Sequence, residues 1–278
     1  GSSMWQTMRI TMLQDILKPE ERGRILGYFQ AFQLIGSSAG PTIGGVTAEY
    51  WGIRAPFWIY AAGSFICLGL SIILVPETHR VSSHGESRSR ESEFSWPAMK
   101  RLLTNNLTFC TACIATFTTF LERQGLRATL IPLYAAAVLS LGTADIGYAI
   151  SLATFTNLFV TIPFGHALDR IGRKKVLVPS LALLAITSLI FPFTGSFIQL
   201  GMTCIILGVG EGGTAQAPLT LASDATMNEP HGLSMAVYRV FGDLGYIVGP
   251  IMIGILSDTF GLRFPFYAVA TLIFVSTM

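Results

Sequence analysis

The stretch VLVPSLALLAITSLIFPFT, residues 176–194, decides the class of fold, because it is apolar and carries no Asp, Glu, Lys or Arg. Runs of about 18 or more such residues are typical of helices that span a membrane. Three more stretches are equally free of these four residue types: 57–75, 102–121 and 146–168. The sequence therefore predicts a multi-pass membrane protein.

The composition of the 278-residue chain points the same way. Hydrophobic residues make up 51% of it and charged residues only 12%, whereas about a quarter of a typical globular protein is charged. This shortage of charge argues against a soluble enzyme, a disordered tail or a disulfide scaffold. The formal net charge of +2 leaves no basic surface of the kind that binds nucleic acid, so no nucleic-acid partner is expected.

Gly, Pro and charged residues divide the apolar sequence into predicted spans. Residues 1–17 and 264–278 are partial spans, since each is shorter than the roughly 20 residues that a crossing needs. We expect an all-α, multi-pass transmembrane helix bundle within the lipid bilayer, and a chain that is cut at both ends. The seven complete spans are 23–49, 55–75, 105–135, 146–168, 176–194, 198–222 and 232–257.

Lys and Arg orient these spans, because cytoplasmic segments retain positive charge. Twelve of the Lys and Arg residues between the spans fall on one side of the membrane, and only Arg54 and Arg263 fall on the other side. The basic side includes residues 76–104, which are rich in Ser, Glu and Arg and are predicted to be a flexible cytoplasmic linker. We predict an integral protein of the plasma (cell inner) membrane.

The chain also contains an internal repeat. An offset of 209 residues aligns 15–57 with 224–266 without a gap, and 12 of the 43 positions are identical. Both copies run outward from the cytoplasmic side and return. Parallel repeats of this kind build secondary transporters, which hold the substrate between their halves. The predicted organisation is the end of a first six-helix half at 1–75, a linker at 76–104 and a second half with an incomplete last helix at 105–278.

Two motifs resemble those of the major facilitator superfamily. The stretch GHALDRIGRKK, residues 165–175, lies between two spans on the cytoplasmic side and resembles the superfamily's loop signature. The stretch GSSAGPTIGG, residues 36–45, resembles the antiporter motif of its fifth helix. The matching residues are Gly165, Asp169, Arg170, Gly172, Arg173 and Lys174 in the first motif, and Gly36, Gly40, Pro41, Gly44 and Gly45 in the second.

The resemblance covers the whole chain, as the partial fourth to the twelfth helix of a twelve-helix fold with two halves. It implies a secondary active transporter that moves a small organic solute by alternating access, and the antiporter motif favours proton-coupled efflux. Proton-coupled uptake by symport, or an inactive fragment, are the alternatives. The resemblance implies a monomer without a metal or cofactor. A membrane-embedded enzyme would need a nucleophile, base or metal cluster, which none of the four His residues offers.

The physical chemistry of the motifs gives further expectations. Gly36, Gly40 and Gly44 recur every four residues, which predicts a face for close helix packing, and Pro41 permits a bend. In the loop motif, Asp169 is expected to face the positive N-terminal end of the helix that starts near Gly23. Arg170 and Arg173 are expected to pair with Asp15 or Glu20 and so to close the cytoplasmic side; a plain positive-inside loop is the alternative.

Charged residues inside the spans are candidates for the pathway of solute and proton, since an ionised group at a helix centre costs about 2.5–3.5 kcal/mol even on the lenient insertion scale. Glu122, Arg123 and Arg127 lie in a helix that we predict to be broken at Gly125 and Pro132, as at transporter binding sites. Either Arg is expected to neutralise Glu122. The excess positive charge suits an anionic group of the solute or a partner acid.

Other polar residues in the spans carry weaker expectations. Glu211 has no basic residue within a helical turn, so it is either protonated or paired across helices, and Glu211 or Glu122 is expected to carry the coupling proton. Arg239 and Asp243, at i and i+4, line the pathway or form a structural ion pair. Gln30 and Gln33 bind solute or join helices. The glycines around Glu211, in GVGEGG at 208–213, predict close packing.

Overall fold

A computed structural model describes residues 22–74, 99, 102–104, 106–226 and 231–277. Within these ranges the chain is helical and has no strand, and for residues 22–31, 231 and 232 the description covers the backbone alone. A π-helical segment, Glu122–Leu130, continues α3 into α4, and a 3-10 turn, Phe191–Phe193, ends α6. The helices are α1 (Arg22–Trp51), α2 (Ala55–Leu74), α3 (Leu107–Leu121), α4 (Ile131–Ala137), α5 (Thr143–Ile171), α6 (Arg173–Ile190), α7 (Phe197–Thr214), α8 (Ala217–Ala225), α9 (His231–Phe260) and α10 (Phe264–Ser276).

The predicted spans are helical over most of the residues that the structure describes. The predicted span 198–222 is divided between α7 and α8, where Pro218 lies in the first turn of the second helix. The spans 23–49 and 105–135 are less apolar than the others, because the first is rich in Gly and Ser and the second holds three charges. Five stretches are long and apolar enough to cross a membrane: Ala55–Ile73, Thr143–Ile171, Arg173–Phe193, Phe197–Ala225 and Leu233–Phe260.

The internal repeat is confirmed by the helix boundaries. Helices α1 and α9 each contain 30 residues, and both their first and their last residues are 209 positions apart. Both helices end at a glycine in the left-handed region, Gly52 with φ 85° and Gly261 with φ 82°, a conformation that other residues adopt at a cost. Helices α2 and α10 then begin at equivalent positions, so the same helix-turn-helix unit is built twice.

Successive membrane-spanning stretches run in opposite directions, which gives the bundle two ends. The basic end contains residues 165–175, and the far end contains the turns at 52–54 and 138–142. Helices α1, α3 and α9 start at the basic end, whereas α5 and α7 start at the far end.

Helix α9 packs closely on α3 and on the π-helical segment. A Cβ atom at Gly249 would lie 2.9 Å from the carbonyl oxygen of Leu121, and one at Gly245 would overlap the carbonyl oxygen of Phe117. Such small residues let helix backbones approach each other in a membrane. The contact fixes the position of the segment that carries three of the charged residues.

We expect Gly245→Ala to destabilise the protein by about 2 kcal/mol, because the added methyl meets backbone that no rotamer change can move. Thermal unfolding in detergent measures the effect. Gly242→Ala is the matched control on the same helix, since its methyl would lie 3.2 Å from Thr116 Cγ2, a side-chain atom that can shift. Equal losses of stability in the two variants would contradict the packing described here.

Candidate functional site

Five polar residues from three helical segments meet in the middle of the bundle; we call them the charge cluster. Asn157 lies midway along α5, and Glu211 lies midway along Phe197–Ala225. The π-helical segment contributes the rest and lies at the centre of the continuous helix from α3 to α4. The charge cluster consists of Glu122, Arg123, Arg127, Asn157 and Glu211.

Glu211 is paired across helices, which was one of the two expectations for it. Its side chain is fully buried, and its Oε2 accepts a hydrogen bond of 2.8 Å from Arg127 Nη1 and one of 3.0 Å from Asn157 Nδ2. The partner acid for the excess positive charge of the π-helical segment is therefore Glu211. Its second oxygen, Oε1, is buried without a hydrogen-bond partner.

Asn157 is held in the orientation that Glu211 needs. The hydroxyl of Thr161, one turn further along α5, lies 2.7 Å from the backbone carbonyl oxygen of Asn157 and 2.9 Å from Asn157 Oδ1, and donates its one proton between these two acceptors. With Oδ1 occupied as an acceptor, the amide nitrogen is the group that faces Glu211. Asn157 is 7% exposed, so this arrangement lies inside the protein.

The glycines around Glu211 bring α7 close to two neighbouring helices, as the sequence predicted. A Cβ atom at Gly208 would lie 2.8 Å from Thr156 Cβ on α5, and one at Gly210 would lie 2.8 Å from Leu184 Cδ2 on α6. The close approach to α5 places the carboxyl group of Glu211 within reach of Asn157.

Glu122 is fully buried, and neither carboxyl oxygen has a hydrogen-bond partner. Neither Arg123 nor Arg127 forms an ion pair with Glu122 in this conformation, so its neutralisation by either arginine stays a prediction. Arg127 pairs with Glu211, and Arg123 Nη2 donates a long hydrogen bond of 3.4 Å to the backbone carbonyl of Glu211. Among the described residues Glu122 makes no ion pair. An ionised carboxylate in such a place is costly.

The helix that carries these charges is widened rather than broken. The prediction of an interruption at Gly125 and Pro132 is wrong, because the backbone stays helical from α3 through the π-helical segment into α4. The amide of Ile131 donates to the carbonyl of Leu126, five residues earlier, so the wider turn keeps its backbone hydrogen bonds. Segments of this kind occur often at functional sites.

A second polar contact joins α1 to α5 near the far end; we call it the clasp. Glu49 Oε2 accepts a 2.7 Å hydrogen bond from the backbone amide of Ala144, in the first turn of α5. Two further residues donate hydrogen bonds in the clasp. Thr143 Oγ1 donates to the Gly45 carbonyl at 3.0 Å. The hydroxyl and the backbone amide of Thr42 both donate to Ser151 Oγ, at 2.8 Å and 3.1 Å.

The antiporter-like motif contributes to the clasp through a different face from the predicted one. Nothing lies within 4 Å of a Cβ atom built at Gly36, Gly40 or Gly44. The close approach is made by Gly45 and Pro41, which meet Thr143 and Gly147 of α5. Within the described residues, the face that meets α5 carries Ser38, Thr42, Gly45 and Glu49, and the packing face at Gly36, Gly40 and Gly44 stays a prediction.

The loop motif is largely helical. Residues from Gly165 to Arg170 belong to α5, and only Gly172, with φ 103°, separates α5 from α6. Arg173 Nε lies 2.8 Å from Asp224 Oδ2, an electrostatic contact because the N–H does not point at the carboxylate. Asp224 is the repeat counterpart of Asp15. The predicted partners Asp15 and Glu20 lie outside the described residues. The role of Asp169 in closing the basic end of the bundle stays a prediction.

The remaining candidates lie away from the charge cluster. Arg239 and Asp243 form an ion pair in which Arg239 Nε lies 3.3 Å from Asp243 Oδ1, and both side chains are half-exposed. A structural ion pair was one of the two expectations for these residues. Gln33 is exposed, and the side chain of Gln30 lies outside the described residues. Lys174 is exposed at the start of α6.

Two residues that make contacts between helices in these clusters, Asn157 and Glu49, were missed by the sequence reasoning. Asn157 is an amide at the centre of an otherwise apolar span, which is a signal that could have been used. Glu49 lies at the end of a predicted span, where an acidic residue is expected to be exposed at the surface and gives no signal of a contact. Its contact with the first turn of α5 depends on how two distant segments pack.

A bundle of apolar helices with a buried charge cluster at mid-depth defines an integral membrane protein with a polar site in its interior. The Major Facilitator Superfamily matches residues 1–122 and 112–278, and the chain belongs to this family.

The chain is 25% identical over 259 residues to the multidrug resistance protein MdtG of Klebsiella pneumoniae (strain 342), and the match covers 89% of this chain and 59% of that protein. It is 27% identical over 266 residues to the MdtG protein of Proteus mirabilis (strain HI4320), covering 92% and 62%. The chain thus spans about three fifths of the length of these relatives.

Proposed function

We propose that the protein exports small organic solutes across the plasma membrane in exchange for protons, by alternating access between a first half ending at 75 and a second half starting at 105. Family membership supports transport rather than enzymatic catalysis. The multidrug resistance relatives support export as the direction. The observation that carries the proton coupling is the buried carboxyl group of Glu122, which has no partner among the described residues.

Glu122, rather than Glu211, is the proposed proton carrier. The Oε2 atom of Glu211 already accepts two hydrogen bonds, one of them from a guanidinium, so this carboxyl group serves to anchor Arg127. Glu122 accepts no such hydrogen bond from any described residue, and we propose that it is protonated in this conformation, because a buried carboxylate without a hydrogen-bond partner is costly. When it loses its proton, Arg123 is the nearest cation in sequence and has an unpartnered Nε atom to offer. One proton thus changes the pairing within the charge cluster, and that change is proposed to alter solute binding.

Solute is proposed to enter beside the charge cluster, where Arg127 keeps 23% of its side chain exposed. An exchange mechanism requires that solute and proton do not occupy the site together. Symport is the alternative, and it is favoured for acidic solutes, because the charge cluster is more positive when Glu122 is neutral.

Proteoliposomes with an imposed pH gradient test this function. We expect lipophilic solutes to move against their concentration gradient while protons move the other way, as recorded by a trapped pH-sensitive dye. Protons and solute moving in the same direction would establish symport instead. The absence of any solute-dependent proton flux, in protein that stays folded, would overturn the proposal.

A further inference from the structure

The clasp contains an unusual helix cap. The N-cap residue of α5 is Gly142, which has no side chain to accept a hydrogen bond from the first turn. The acceptor comes instead from the last turn of α1, because Glu49 Oε2 binds the amide of Ala144 at 2.7 Å. A residue 95 positions earlier in the chain thus does what a Ser or Asp at position 142 would do locally.

Gly142 and Glu49 fit each other sterically. A Cβ atom at Gly142 would lie 2.7 Å from Glu49 Oε2 and 3.2 Å from its Cδ. Gly142 has φ −67°, which any residue can adopt, so its backbone does not require glycine. Because glycine has no side chain, position 142 leaves room for the carboxylate of Glu49.

Charge also favours this contact over the position of Glu49 in its own helix. A negative charge near the C-terminal end of α1 is unfavourable to the dipole of α1, whereas at the N-terminal end of α5 it is favourable. The internal repeat places Asp258, also an acid, at the equivalent position near the end of α9. An acid therefore ends this helix in both copies.

We propose that Glu49 is a gating residue: by capping α5 from α1, it holds the far end of the transporter closed, and the far end opens when this cap is released. The proposal rests on the proposed function only in that alternating access requires this end to open. It is independent of Glu122, of the solute and of the coupling ion.

The contact is suited to reversible opening. Its other bonds, between Thr42 and Ser151 and between Thr143 and Gly45, join neutral groups. Glu49 is exposed at the membrane surface, so water can replace the Ala144 amide as its partner when the helices separate. A cap of this kind shifts an equilibrium by about 2- to 20-fold when it is removed.

Labelling of a buried cysteine measures opening directly. Ser38 lies on the face of α1 that meets α5, is fully buried, and donates its hydrogen bond within its own helix, to the Leu34 carbonyl. Ser38→Cys is made in the protein expressed from its natural gene, with its native cysteines replaced by alanine or serine. A membrane-impermeant maleimide, added from the far end, then reaches position 38 only when α1 and α5 separate.

Glu49→Ala is expected to raise the labelling rate about 2- to 20-fold, and Glu49→Gln by less. Gly142→Ser is expected to raise it as well, although it leaves Glu49 intact, because its hydroxyl caps α5 locally and its Cβ displaces the carboxylate. The double variant Glu49→Ala/Gly142→Ser should label no faster than the faster single variant, since both remove the same contact.

Asp145→Asn is the matched control. Asp145 is the acid in the first turn of α5, and no bond joins it to α1 within the described residues. Its removal weakens the helix N-terminus without touching the clasp. Unchanged labelling in Glu49→Ala, or an equal rise in Asp145→Asn, would overturn the proposal. Because labelling needs neither solute nor a pH gradient, a failure of the proposed export would leave this result standing.

Discussion

Glu122→Gln is expected to reduce solute-dependent proton flux to the leak of empty liposomes. Glutamine has the shape of a protonated glutamate, but it cannot release a proton. The site at 122 is fully buried and offers the carboxyl group no partner, so the neutral amide should fit there without unfolding the protein. Proton release on solute binding, followed with a pH dye in detergent solution, measures the effect without a membrane.

Glu211→Gln serves as the comparison for Glu122→Gln. If Glu211 anchors Arg127 and does not carry the proton, this variant keeps solute-dependent proton release, although it weakens solute binding by loosening the charge cluster. Full proton release in Glu122→Gln combined with none in Glu211→Gln would assign the carrier to Glu211. Thermal unfolding of both variants shows whether a loss of flux reflects a loss of fold.

Arg127→Met should cause the largest loss of stability. It leaves the carboxylate of Glu211 buried with only the Asn157 amide as a donor, and breaking a buried ion pair from one side costs about 3–5 kcal/mol. We expect a large fall in the melting temperature and a poor yield of folded protein. The exposed 23% of the Arg127 side chain makes the reverse change, Glu211→Gln, less damaging, since the guanidinium can reach water.

The double variant Arg127→Met/Glu211→Gln tests the reason for that loss. It removes both charges, so most of the stability should return although two polar contacts are gone. A double variant as unstable as Arg127→Met would show that the arginine matters for packing and not for its charge. Thermal unfolding of the four proteins completes the double-mutant cycle.

The helices and their repeat could be predicted from the sequence, because apolar length and an ungapped offset are local or internal signals. Glu122, Arg123, Arg127 and Glu211 could be found by the cost of charge within a span. Their pairing could not, because it depends on the rotation of each helix. A π-helical segment shifts that rotation, and Gly125 indicated an irregular helix without indicating that the helix is widened.

The antiporter-like motif shows the same limit. Four-residue spacing identified a stripe of small residues, Gly36, Gly40 and Gly44, but a helix carries several such stripes. Which of them meets a neighbour is decided by contacts from another segment, here Thr143 and Gly147 of α5. The clasp therefore becomes visible only when the two helices are placed side by side.

The repeat also identifies the part of α9 that corresponds to the clasp face of α1. Ile247 and Ile251 take the places of Ser38 and Thr42, and they are 59% and 58% exposed. Lipid tails are as apolar as isoleucine, so in a bilayer this stripe gains or loses a neighbouring helix with little change in free energy. The two equivalent faces thus differ in chemistry: within the described residues one carries hydrogen bonds to α5, and the other presents isoleucine side chains.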